Sequence, residues 1–170
     1  MIKKNKNKFF ISLIIISSLF IIDRITKLII LNFSENNQNF NIEINNYLNF
    51  IIVWNEGIGF GLLSYNSGLI YNIVTVLIAI INIIIFYLMV NSQGLRFYSF
   101  LLILGGALGN LFDRIYYSAV PDFIDLNYND FHWFIFNVAD IFITVGIICL
   151  ICAEFLDYKK TVSYTHLRAH

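Results

Sequence analysis

Residues 69–90 read LIYNIVTVLIAIINIIIFYLMV, 22 positions without a charged side chain. About 20 largely apolar residues are what an α-helix needs to cross the hydrocarbon core of a bilayer. Working outward, Phe9–Phe33, Phe97–Tyr117 and Val138–Leu156 meet the same requirement. Composition agrees. The chain is 58% hydrophobic and only 13% charged, against about 25% charged in a soluble domain, and its mean hydropathy is +0.72. The expectation is an all-α membrane protein with four transmembrane helices. One proline and no low-complexity linker point to one domain, residues 1–160.

Lys3, Lys4, Lys6 and Lys8 precede the first apolar run, as in a secretory leader. No small-residue cleavage site follows, and the apolar pattern resumes after Asp23 and Arg24, so the segment reads as a retained helix. Basic residues set orientation. They crowd the N-terminus, Arg96 lies between helices 2 and 3, and Lys159 and Lys160 follow helix 4, with none between Lys27 and Arg96 or from Ile115 to Leu156. Both termini are therefore expected in the cytoplasm and both long loops outside. Residues 161–170, ending in the polar and unpatterned SYTHLRAH, read as a non-native or disordered tail and take no part in the fold argument. The balanced charge argues against nucleic acid as a partner.

Two outer loops remain. Ser34–Gly68 carries LNFIIVWNEGIGFGLLS, an apolar β-like run broken by glycines, which predicts a small extracytoplasmic β-rich cradle between helices 1 and 2. Ser118–Phe136 carries VPDFIDL and the aromatic patch FHWFIF, which suits an interfacial belt and a short lid or surface helix between helices 3 and 4.

Ionisable groups at bilayer depth are expensive and tend to be functional. Helix 3 ends GGALGNLFDR, placing Asn110 and Asp113 on one face with Arg114 adjacent, and helix 4 begins FNVAD, with Asn137 and Asp140 at the same spacing. Joined by one loop, the two polar turns should meet at one depth, with Asp122 and Asp125 supplied between them. Metal binding is disfavoured, since His132 in its aromatic patch reads as an interfacial side chain. No Ser or Cys has a matching base, and Cys149 and Cys152 read as buried small apolar residues. Aspartates held close together share a proton, so that one acts as base on a water and the other as acid, a hydrolysis that needs no cofactor. Either Asp113 or Asp122 could partner Asp140. Asp113 has Arg114 beside it, whereas Asp122 has no basic neighbour, which favours Asp122. Asp23 and Lys27, four apart on helix 1, can neutralise each other and orient neighbours. A proton-coupled transporter would instead show repeat symmetry and midplane polar groups, and neither is evident. A structural subunit would not need several acidic positions on one membrane face.

The blocks NEGIGFG (55–61), GGALGNLFDR (105–114), VPDF (120–123) and FNVADIFITVG (136–146), with Asp23-Arg24-x-Thr26-Lys27, resemble the ordered motif set of the lipoprotein signal peptidase (signal peptidase II) family. The resemblance spans roughly Asp23–Leu156. It implies an aspartyl endopeptidase of the bacterial cytoplasmic membrane that cuts prolipoproteins just before a diacylglyceryl-modified cysteine. By that resemblance Asp122 and Asp140 are the catalytic pair, while Asn110, Arg114 and Asn137 hold the site and substrate. Asn55 and Gly57 then belong to the outer cradle, and Asp113 is a supporting carboxylate beside Arg114. The implied partners are lipid-modified signal peptides and membrane lipid, with a monomeric enzyme. Pro121 stands where the family usually has an aliphatic residue.

Overall fold

The computed structural model describes residues 2–35, 40–57, 68–128 and 131–167, with side chains described over 7–35, 40–57, 68–128 and 131–157. In chain order these form α1 (Ile2–Glu35), β1 (Asn41–Asn45), β2 (Leu48–Asn55), α2 (Gly68–Asn91), α3 (Gly94–Tyr117), β3 (Val120–Tyr128), β4 (Phe131–Phe136) and α4 (Val138–Leu167). Membrane-spanning stretches run over Asn7–Glu35, Gly68–Asn91, Gly94–Tyr117 and Val138–Asp157, close to the four expected spans. The backbone of α4 continues past Leu156 to Leu167, through most of the stretch set aside as a tail.

α3 is the axis of the bundle and packs against α1, α2 and α4. Its span has a mean hydropathy of only 1.5, against 2.9 for α2, because its small and polar residues face other helices rather than lipid. Two glycines allow the close approach. A Cβ on Gly106 would overlap the Ala139 carbonyl of α4, and one on Gly109 would lie 2.6 Å from Asp23 Oδ2 of α1. Lower in the bundle, Phe97, Leu101 and Leu104 of α3 bury Met89 of α2, flanked by Ile15 and Ile16 of α1. The long apolar residues that stay exposed, such as Ile73, Ile83 and Ile148, form the lipid face. Cys149 is half-buried and Cys152 exposed on that face, not in the core, since α4 turns its other side to α3.

At the inner end the α2–α3 turn closes on Gly94 at φ +60°, a left-handed conformation that suits glycine. Lys8 of α1 donates to the Val90 and Ser92 carbonyls at 2.8 and 2.7 Å and lies over the Phe97 ring. A cation there complements the negative end of α2.

Outside the bundle, four strands form one antiparallel sheet in the order β1-β2-β3-β4. The expected cradle between α1 and α2 is half of it, and Asn45 Oδ1 accepts the Tyr47 amide in the β1–β2 turn. Of the two described forms for the α3–α4 connection, a short surface helix is not what folds there. VPDFIDLNY and FHWFIF are strands instead, because the β2 edge is open to receive β3, and β-branched and aromatic residues suit a pleated surface. β4 pairs with β3 only from Ile124 onward, so Pro121 needs no partner on that side.

Candidate active site

The start of α4 organises the site. Asn137 is its N-cap, with Oδ1 accepting the Asp140 amide at 3.2 Å, while Asp140 Oδ2 accepts the Asn137 amide at 3.0 Å. This reciprocal arrangement is a capping box, and it satisfies two amides that a helix start otherwise leaves open. The N-x-x-D spacing therefore has a local folding reason. It also leaves the Asn137 carboxamide nitrogen free to donate to Asp122 Oδ1 at 2.6 Å. One asparagine thus touches both carboxylates.

The chain between α3 and α4 brings Asp122 in on β3, two residues into the strand. β2 lies beside it with Val53 opposite Asp122, and Asn55 Nδ2 donates to Asp122 Oδ2 at 3.0 Å. Asn55 Oδ1 accepts the Gly57 amide at 3.1 Å, and the Gly57 carbonyl accepts from Arg114 at 3.0 Å. Arg114 is steadied in turn by α2, since Tyr71 donates its hydroxyl to the Arg114 carbonyl at 2.8 Å. From α3, Asn110 Nδ2 donates to Asp140 Oδ1 at 2.8 Å.

Asp122 and Asp140 line one cavity of about 250 Å³, with Asn55, Asn110 and Arg114 as further polar wall and Val120, Phe134 and Ile143 as apolar wall. Burial pushes the Asp122 carboxyl up to about 6. The negative charge of Asp140 adds to this, while the Asn55 and Asn137 amides and the Lys27 charge pull the other way. Two carboxylates in one partly apolar cavity can hold a single shared proton, the state that acid–base hydrolysis requires.

Behind the pair lies a buried ionic cluster. Lys27 Nζ is 2.9 Å from Asp23, 2.6 Å from Asp113 and 2.9 Å from Asn110 Oδ1. Arg24 reaches the same two acids, at 2.9 Å from Asp23 and 2.7 Å from Asp113. Its guanidinium lies against the Phe20 and Phe112 rings. Asp23 Oδ1 accepts the Ala139 amide at 3.1 Å, so α1 caps α4 across the bundle.

The structure thus gathers Asp122, Asp140, Asn55, Asn110, Arg114 and Asn137 around one cavity, with Gly57 bonded to its rim. Asp23 and Lys27 do pair as expected, within a larger cluster. Asp113 pairs not with the adjacent Arg114 but with Arg24 and Lys27 of α1. Consecutive helix residues point about 100° apart, and Asp113 turns to α1 while Arg114 turns to the cavity. Asp125 does not join the other acids either. It is buried elsewhere in the sheet, where His132 Nδ1 lies 2.7 Å from Oδ2 and Asn127 Nδ2 donates at 3.1 Å. His132 is half exposed, as an interfacial side chain would be, but it has this specific partner. Ile58–Gly61, the rest of the glycine-rich block, lies outside the described residues. The long-range cap by Asp23 and the clasp by Tyr71 had no local signal in the sequence.

The chain matches the family profile described as signal peptidase (SPase) II over residues 15–156. It is 51% identical over 160 residues to the lipoprotein signal peptidase of Pelagibacter ubique (strain HTCC1062), covering 94% of this chain and 96% of that protein. To the lipoprotein signal peptidase of Rickettsia bellii (strain OSU 85-389) it is 37% identical over 154 residues, covering 87% and 76%. Among solved structures it is similar to a bacterial membrane enzyme determined by the in meso method, with a TM-score of 0.69, 29% identity, and coverage of 88% of this chain and 90% of the other.

Proposed function

The chain belongs to the signal peptidase II family, and on that premise we propose that Asp122 and Asp140 are the catalytic pair with which it hydrolyses its substrate. It is a bacterial membrane protein and a peptidase that removes signal peptides from prolipoproteins. The observation that carries the assignment is the bridge made by Asn137, whose amide group donates to Asp122 while its backbone donates to Asp140.

In the proposed reaction Asp140 is the base and Asp122 holds the proton. Asp140 takes a proton from water as the oxygen attacks the scissile carbonyl, and Asp122 gives its proton to the carbonyl oxygen. The diol intermediate collapses when Asp140 passes its new proton to the leaving amine and the diol returns one to Asp122, so the pair ends as it began. Arg114 and Asn55, tied to the Gly57 segment, border the cavity where the substrate backbone would lie.

The scissile bond is assigned to the position just before a diacylglyceryl-modified cysteine. A cavity at the ends of membrane-spanning helices, walled partly by apolar side chains, suits a peptide whose next residue carries lipid. The distribution of Lys and Arg supports cytoplasmic termini and an extracytoplasmic site.

The test is cleavage of a lipidated prolipoprotein by purified protein beside Asp122→Asn and Asp140→Asn. Wild-type cleavage before the modified cysteine, lost in both folded variants, is the expected result. Turnover retained by Asp122→Asn and lost in Asp113→Asn would transfer the role to Asp113.

A further inference from the structure

Lys27 is 1% exposed inside a helix that spans the bilayer. Charge balance alone does not require it. Arg24 already bonds both Asp23 and Asp113, and a cluster lacking one acid and one base would be equally neutral. What Lys27 alone does is donate to Asn110 Oδ1, at 2.9 Å. Its three N–H donors are all committed, to Asp23, Asp113 and Asn110.

An ammonium can only donate, and an ionised carboxylate can only accept. The Asn110 carboxamide lies between Lys27 on one side and Asp140 on the other, so it fits one way round, with its oxygen toward Lys27 and its nitrogen toward Asp140. Without Lys27 the carboxamide oxygen loses this donor, and the side chain is left with the Asp140 carboxylate as its anchor. The two acids that hold Lys27 belong to rigid helices, and Asp23 is further tied to α4 through the Ala139 amide. The base is therefore held from behind by a fixed chain of donors.

We infer that Lys27 is a positioning residue of the hydrolysis, fixing the Asn110 carboxamide and through it the Asp140 carboxylate. This rests on reading Asp122 and Asp140 as the catalytic pair. Lys27 touches neither carboxylate and donates no proton to substrate. Its role is to make one orientation of Asn110 permanent, so that Asp140 meets the water already aligned.

The experiment uses purified full-length protein and a lipidated prolipoprotein, with kcat, KM, the pH profile and thermal unfolding read for each variant. Asp140→Asn is measured first. If it keeps turnover, the catalytic pair is wrong, whatever Lys27 does. Lys27→Met is then compared with the charge-balanced Lys27→Met/Asp113→Asn and with Asn110→Ala, which cuts the link but leaves the ionic cluster intact. In all three, kcat should fall roughly ten- to a hundredfold, as for the loss of a group that orients a functional side chain. In the two Lys27 variants KM should change by no more than about twofold, because Lys27 lies behind the cavity and does not line it. Adding Lys27→Met to Asn110→Ala should lower kcat no further.

The pH profile separates position from charge. Asp122 faces Asp140 of α4, Arg114 of α3 and the field of Lys27 from α1. Removing the Lys27 charge should move the alkaline limb upward. Restoring neutrality with Asp113→Asn should bring it back while kcat stays low. Independent, multiplying losses in Lys27→Met/Asn110→Ala would overturn the inference. So would a kcat within about threefold of wild type in a folded Lys27→Met or in Asn110→Ala. If Lys27 variants do not fold, Asn110→Ala alone decides, since the inference fails if that protein keeps kcat.

Discussion

Replacing Gly109 with alanine adds a single methyl group at the point where three helices meet the site. On an ordinary helix the change would stabilise by about 1 kcal/mol, because glycine is a poor helix former. Here the new carbon would lie 2.6 Å from Asp23 Oδ2, 3.1 Å from Asp23 Cγ and 3.6 Å from Ala139 Cβ. The carboxylate cannot swing aside cheaply, being bonded to Lys27, Arg24 and the Ala139 amide. Overpacking of this kind costs about 1–3 kcal/mol, and a lost hydrogen bond to a charged group about 1.5–3 kcal/mol more. Set against the helix gain, the net destabilisation should be about 1.5–5 kcal/mol. That corresponds to a lowering of Tm by roughly 3–20 °C for a chain of this size. Because α4 is displaced with Asp23, cleavage should fall on the order of a hundredfold, as for a misplacement near 1 Å. Thermal unfolding in detergent, paired with a prolipoprotein cleavage assay, measures both. Gly68→Ala is the control, since a Cβ there meets nothing within 4 Å. A Gly109→Ala protein with the Tm and turnover of the Gly68→Ala control would refute the claim that Asp23 is locked against α3.

The remaining predictions concern the carboxylates and the sheet. Asp122 is pushed up to about 6, so it is neutral below that pH and charged above it. If it carries the shared proton, kcat/KM should decline above about pH 6, and a profile flat from 5 to 8 would remove Asp122 from the acid role. Asn137→Ala deletes both the cap on the Asp140 amide and the donor to Asp122, so it should cost about 1 kcal/mol or more in stability and lower kcat more than Asn55→Ala does. Equal kcat losses in the two would show that the bridge is not special. His132→Ala should leave kcat within about twofold of wild type, because its partner Asp125 lies away from the cavity. A large kcat loss in that folded variant would place the Asp125–His132 pair in the reaction.

The four spans were legible because the bilayer asks for so simple a pattern, and residues 69–90 state it without interruption. The two N-x-x-D turns were legible too, since spacing on a helix translates directly into a shared face. The α3–α4 connection was harder. FHWFIF is apolar at nearly every position, so it has no alternation to separate strand from surface helix, and only the open edge of β3 decides. The partner of Asp113 was misread for a different reason. Adjacency along a helix separates side chains around its axis, and the cations that reach Asp113 come from α1, nearly ninety positions earlier. Contacts of that range carry no local trace. The role of Asn137 as a bridge depends likewise on a strand arriving from outside the helix it caps.

The distribution of the site along the chain bears on how the protein comes to life in the cell. Asp23 and Lys27 lie on the first helix, Asn110 on the third and Asp140 at the start of the fourth. The turn that carries Asp140 is also capped at Ala139 by Asp23 of the first helix. A ribosome-bound chain that has threaded three spans into the membrane therefore lacks both Asp140, the proposed base, and the turn that orients it. On the proposed assignment, the two carboxylates and the groups that orient them come together only when the last helix packs against the first.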